Sequence, residues 1–168
     1  MTKAYRTAYG MFAANGILFN HESERRGVNF VTRKITRGVA RIKLGLQDKL
    51  ILGNMDAKRD WGHSRDYMEA IHMIMQHDAP DDWVVATGEY HTVREFMEEV
   101  FKYHGLDWEK HVVIDKVYNR PNEVPALLGD ATKIKNVLGW KPKVSFKELV
   151  KLMCDSDLQK EKNKADNS

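Results

Sequence analysis

The chain has 168 residues, of which 42% are hydrophobic and 30% charged, the profile of a single folded domain with a real core. Its single cysteine excludes a disulfide framework and a Cys-rich zinc site, and no apolar run approaches the ~20 residues of a membrane span. The net charge of +3 is unevenly spread: residues 1–67 carry +7 and residues 68–168 carry −4. Eight of the ten arginines lie in the basic part. Arginine presents a planar fork of donors that matches phosphate oxygens, so this bias reads either as a phosphate-bearing ligand or as a solvated basic face. The first residues, Met-Thr-Lys-Ala-Tyr-Arg, lack the apolar stretch of a secretory signal. Cytoplasm is therefore the expected compartment.

Residues 12–20 (FAANGILFN) predict a short strand interrupted by Asn15-Gly16, and a polar segment, residues 21–29, follows with Gly27 as its turn residue. Residues 30–46 have helical period. Val31, Ile35, Val39 and Ile42 share one face, with Arg33, Arg37 and Arg41 roughly opposite. Lys34 lies about 95° from the centre of the apolar stripe, where it either reaches into a cleft or snorkels to water. Leu50–Leu52 predicts a strand closed by Gly53-Asn54. Lys58-Arg-Asp-Trp-Gly-His63 joins it to a helix capped by Ser64, with Tyr67, Ile71, Ile74 and Met75 as the buried stripe.

Trp83–Ala86 predicts a buried strand. Thr92-Val-Arg-Glu95 is a capping box that opens a helix ending at Gly105. Val112–Asp115 is a further strand, Ala131–Leu138 a short helix, and Ser145-Phe-Lys-Glu148 caps the last helix. Residues 1–158 read as the folded part and residues 159–168 as a polar, disordered tail. This alternation specifies an α/β fold. None of the eleven glycines forms a phosphate-binding loop, so a nucleotide fold would lack that part here.

The seven histidines form no H-x-x-x-H pair, and no metal site is expected. Cys154 has no adjacent histidine to activate it as a nucleophile. The densest polar cluster is Asn20-His-Glu-Ser-Glu-Arg-Arg-Gly27, directly after a strand, where open α/β sheets place their ligands. It reads as a binding loop or as a charged surface loop. Arg59 and Arg120, each in a loop, read either as ordinary surface arginines or as converging cations for a diphosphate.

The blocks NGILFNHESERRG (15–27), FVTRK (30–34) and LGNMDAKRDWGH (52–63) resemble the GDP-mannose 4,6-dehydratase family. ATGE (86–89), VREF (93–96), RPNEV (120–124), LLGD (127–130) and LGWKP (138–142) extend the match over nearly the whole chain. The resemblance implies the C-terminal portion of an extended short-chain dehydrogenase/reductase fold, a Rossmann-like architecture whose N-terminal half is absent from this chain. It implies NADP as cofactor and GDP-mannose as substrate. The family reaction oxidises C4 of the mannose, eliminates water across C5–C6 and returns the hydride to C6, giving GDP-4-dehydro-6-deoxy-mannose. His21 and Arg26 match NADP-contacting positions. Asn20, Val31, Lys34, Arg59, Arg120 and Glu123 match positions around GDP-mannose.

Two departures bear on function. The family's glycine-rich loop, its Thr and Glu for dehydration and its Tyr-x-x-x-Lys pair all map before Met1, so no catalytic residue is assigned here and the isolated chain is expected to be inactive. Glu24 stands where the family has proline, which is expected to loosen the loop carrying His21 and Arg26. The resemblance also implies a homo-oligomeric enzyme, and self-association is expected of this portion alone. An alternative is a non-catalytic nucleotide-sugar-binding or interaction module that pairs with a full-length paralogue. The basic half lacks the interleaved aromatics or groove-reading helix of a nucleic-acid binder.

Overall fold

The computed structural model describes residues 1–115, 117 and 124–167. In chain order its elements are α1 (Thr2–Tyr9), β1 (Asn15–Leu18), β2 (Asn20–Glu22), α2 (Val31–Lys43), β3 (Leu50–Leu52), β4 (Lys58–Arg59), β5 (Trp61–His63), α3 (Ser64–Met75), β6 (Asp82–Val85), β7 (His91–Thr92), α4 (Val93–His104), β8 (Val112–Ile114), α5 (Thr132–Leu138) and α6 (Phe146–Ala165). Three strand pairs are parallel, β1 with β6, β2 with β5 and β3 with β8. The short β4–β7 pair is antiparallel. This is the α/β architecture expected from the alternating pattern. No helix among the described residues is long and apolar enough to cross a membrane.

The stretch expected as one strand, residues 12–20, divides at Phe19. Its amide donates to Val85 O at 2.9 Å as the last bond to β6, and Asn20 then pairs with Trp61 of β5. Gly129 packs against the Phe19 ring at this break, and a Cβ at Gly129 would lie 3.0 Å from two ring carbons. The chain thus changes partner strand within one residue. Lys58–His63, read from sequence as a connection, supplies both β4 and β5. Between them Asp60 is fully buried and accepts from Thr87 N (2.9 Å), Thr87 Oγ1 (2.7 Å) and Gly88 N (3.0 Å). Those bonds satisfy a carboxylate that would otherwise be costly to bury.

Two apolar cores result. One joins α2, α4 and α6 through Ile35, Val39, Phe96, Val100, Leu149 and Met153. The other gathers Tyr67, Trp83, Ile134 and Trp140. Both capping boxes form, Thr92 with Glu95 and Ser145 with Glu148, and Gly105 and Gly139 close their helices in the left-handed conformation. At α3 the cap is His63 instead of Ser64: its Nδ1 accepts from Arg65 N at 3.1 Å. The α3 stripe is also narrower than expected. Tyr67 and Ile74 are buried, but Met75 is 52% exposed.

Two expectations about charged residues fail for one reason. Arg33, placed opposite the apolar face of α2, is buried, and residues 159–165, expected as disordered tail, continue α6 to Ala165. The second flank of α2 packs on α6, so its arginines meet carboxylates there. Arg33 Nε donates to Asp157 at 2.6 Å, and Arg37 and Arg41 bond Glu161 at 2.8 and 3.0 Å. Polar composition at the end of α6 therefore marks an ionic interface, and the helix crosses the boundary expected at residue 158.

Candidate functional site

Parallel strands direct their carboxyl ends, and the loops that follow, to one side of a sheet, where α/β proteins bind ligands. A cleft of about 380 Å³ opens beyond β2 and takes in Asn20, Arg26, Val31, Lys34 and Arg59. Residues from β2, its following loop, the first turn of α2 and β4 are brought together here. Arg120 and Glu123, also assigned to ligand contacts from the sequence, lie outside the described residues.

Arg26 is held on three sides. Its guanidinium lies 3.5 Å from the centre of the Phe30 ring, its Nε is 3.1 Å from Glu22 Oε2, and its Nη1 donates to His21 O at 3.4 Å. Glu22 is 1% exposed and also accepts from Thr32 Oγ1 at 2.6 Å. Burial pushes the Glu22 carboxyl above its ordinary range, against the opposing pull of Thr32, Arg26 and His21. Burial likewise draws the Lys34 ammonium downward at the edge of the cleft. Arg59 Nη1 donates to Lys58 O and Val124 O, both at 2.8 Å, which fixes its side chain at the rim.

His21 does not line the cleft. Its ring stacks on Tyr67 with centroids 5.2 Å apart, and its Nδ1 bonds Phe19 O at 2.9 Å. A carbonyl only accepts, so Nδ1 carries a proton. The loop between β2 and α2 is well tied. Glu24 accepts from His63 Nε2 at 3.3 Å, and its backbone carbonyl accepts from Arg33 and Lys160. The Glu24 side chain thus ties this loop to His63 at the start of α3.

Sequence reasoning missed Phe30 and Asn54, which line the same cleft. The signal for Asn54 was its place in the Gly53-Asn54 pair that closes β3. Phe30 read as the start of an amphipathic helix; it is the α2 N-cap residue, 49% exposed, and serves as a platform for Arg26. Among the described residues no group of three or more His, Cys, Asp or Glu is placed to hold a metal ion. The site is a cationic cleft lined also by one aromatic ring, Phe30, and the side-chain amides of Asn20, Asn29 and Asn54, suited to a phosphate-bearing ligand with a polar ring or sugar.

Comparison with known proteins agrees on the family. A family model described as GDP-mannose 4,6 dehydratase matches residues 1–153. GDP-mannose 4,6 dehydratase 1 of Arabidopsis thaliana is 62% identical over 158 residues, covering 94% of this chain and 44% of that protein. The Homo sapiens GDP-mannose 4,6 dehydratase is 52% identical, over 92% of this chain and 46% of its own length. The chain thus spans a little under half the length of these relatives. Among solved structures, RMD from Pseudomonas aeruginosa complexed with NADPH superposes with a TM-score of 0.86 at 22% identity, over 95% of this chain and 52% of that one. A dTDP-glucose 4,6-dehydratase from Bacillus anthracis in complex with NAD gives 0.78 at 19% identity, over 98% and 49%. These structural likenesses establish the fold.

Proposed function

The chain belongs to the GDP-mannose 4,6 dehydratase family, and from that premise we propose that its cleft binds the nucleotide sugar GDP-mannose as part of the family's dehydratase activity. The observation that carries this reading is the meeting of Lys34 and Arg59, from separate segments, around one cleft that also holds Asn20 and Val31, with Arg26 lining the same cleft on the side given to the cofactor. Guanidinium forks clamp diphosphate oxygens, and an amide discriminates hydroxyl or base edges. Arg120 and Glu123 complete the substrate set in this proposal.

NADP is the cofactor in this reading. The fit rests on Arg26, a cation on an aromatic face in the cleft, and on the neighbouring His21, whose ring is fixed by its Nδ1 bond to Phe19 O and its stacking on Tyr67. When bound, NADP supplies the acceptor and donor of hydride for the internal redox reaction. The chain's own residues bind and orient: Arg26, Lys34 and Arg59 neutralise phosphate charge, while Glu22 and Phe30 hold the Arg26 guanidinium in place. No Tyr-x-x-x-Lys pair occurs in the 168 residues, and we assign turnover to the family enzyme and binding to this chain. A cytoplasmic, homo-oligomeric enzyme is part of the same proposal.

Calorimetry with GDP, UDP and a short RNA tests it. GDP is expected to bind about tenfold more tightly than UDP, a difference of roughly 1.4 kcal/mol. Equal affinities that fall together as salt is raised would leave only a nonspecific basic surface.

A further inference from the structure

The loop between β2 and α2 is held by side chains from the far end of the chain. Arg33 Nη1 donates to Arg26 O at 2.7 Å and to Glu24 O at 3.2 Å. Its Nε donates to Asp157 Oδ1 at 2.6 Å, and Asp157 Oδ2 accepts from Thr36 Oγ1 at 2.6 Å. From the next turn of α6, Lys160 Nζ reaches the same Glu24 carbonyl. This is a buried arrangement: Asp157 is 1% exposed and Arg33 8%. An isolated charge there would be expensive, but each carboxylate oxygen of Asp157 has a donor and Arg33 spreads its charge over two carbonyls and a carboxylate.

We infer that Asp157 and Lys160 are positioning residues, which fix the backbone of Glu24 and Arg26 and so set the direction in which the Arg26 guanidinium enters the cleft. Both residues lie beyond the stretch matched by the family model, which ends at residue 153. The inference rests on the nucleotide-sugar reading of that cleft. Ordering a loop costs backbone conformational entropy at every residue fixed. A loop whose carbonyls are already anchored incurs that cost during folding and not during binding, which is the basis of preorganisation. Arg33 alone cannot do this, because its guanidinium is aimed by Asp157. Lys160 adds a second point of attachment to the Glu24 carbonyl, on a helix whose own position is fixed by Met153 and Leu149 in the core.

The test uses the 168-residue chain with two readouts, amide hydrogen exchange over residues 23–27 and GDP affinity by calorimetry. Lys160→Met is expected to speed loop exchange and weaken GDP binding by roughly fivefold each, the worth of about one net hydrogen bond. Lys160→Arg restores both, and Lys162→Met, at an exposed position on the same helix, changes neither. Asp157→Asn keeps an acceptor for Arg33 but removes the charge, and it too speeds exchange in the loop while α3 stays protected. Wild-type loop exchange in Lys160→Met or in Asp157→Asn overturns the inference for that residue. Faster loop exchange with unchanged GDP affinity, or an equal rise in α3, also overturns it. A wild-type chain that binds no GDP defeats the nucleotide reading instead, and the exchange data still decide whether α6 holds the loop.

Discussion

Thr32, in the first turn of α2, donates a 2.6 Å hydrogen bond to Glu22 at the end of β2, and both residues are 1% exposed. This bond is one of the contacts that let a carboxylate sit beneath Arg26. Replacing the hydroxyl with a methyl of similar size leaves that carboxylate with less compensation. Thr32→Val should therefore destabilise the chain by about 1–2 kcal/mol at pH 7.

The pH dependence has a definite sign. Burial raises the Glu22 pKa in the folded state, so folding takes up a proton there. Stability from this group is greatest when the carboxyl is protonated and falls as pH rises from its ordinary value through the raised one. Loss of the Thr32 bond raises the folded value further and extends that window upward. Urea midpoints measured from pH 4 to 8 check this; parallel curves for the two proteins would show that Thr32 does not act on Glu22.

Glu161 behaves in the opposite sense. Burial alone would raise its pKa, but Lys164, Arg37 and Arg41 overcome that and hold it at about 2. The stability it contributes is present above the ordinary carboxylate value and is lost as pH falls from about 4.5 toward 2. The three cations are partly exposed, with side chains 64%, 36% and 32% accessible, so solvent screening reduces the effect. Glu161→Gln should cost roughly 2 kcal/mol at pH 7. That difference from wild type should shrink in acid, as followed by thermal melting at each pH. A constant difference down to pH 2 would place the effect in packing instead of charge.

These two carboxylates also show what the sequence could and could not convey. Apolar period and capping signals located α2, α4 and α6 because each helix has a face that must be buried and ends that must be satisfied. That Asn20, Arg26, Val31 and Lys34 gather around one cleft was legible because their motifs are contiguous, as in residues 15–27 and 30–34. Partners brought together by packing were not. Nothing local tells that Arg33 meets Asp157 across 124 positions, or that residues 159–165 (QKEKNKA) are helical because Glu161 has three cations around it. Likewise the break at Phe19 depends on Val85 and Trp61 lying in different strand pairs, a tertiary fact.

Gly62 marks a close approach that only glycine permits. A Cβ there would lie 2.4 Å from Tyr67 Cε2 and 3.0 Å from Thr87 Cγ2. Tyr67 is fully buried and cannot retreat without moving the ring that stacks on His21. Gly62→Ala should thus destabilise by about 1–3 kcal/mol, the usual cost of overpacking. It should also shift the His21 ring resonances in a proton–carbon NMR spectrum. Destabilisation with unchanged His21 resonances would mean that the strain is absorbed on the Thr87 side.

The last prediction concerns the outer edge of β1. Among the described residues its strand partner is β6, on one side only. Ile17 on this strand is 52% exposed, and Tyr9, Met11 and Phe12 just before it are 72%, 50% and 42% exposed. An unpaired strand edge beside apolar side chains templates pairing with another chain. The excess positive charge of residues 1–67 opposes that approach, and salt screens it over a Debye length of ~8 Å at physiological strength. Self-association should therefore strengthen as salt is raised from 0.05 to 0.5 M, an approximate range chosen to span the screening regime. Ile17→Lys should suppress it by placing a charge on the edge. Light scattering across the salt series reads both effects. A monodisperse monomer at every salt concentration would show that the edge of β1 does not recruit a second copy.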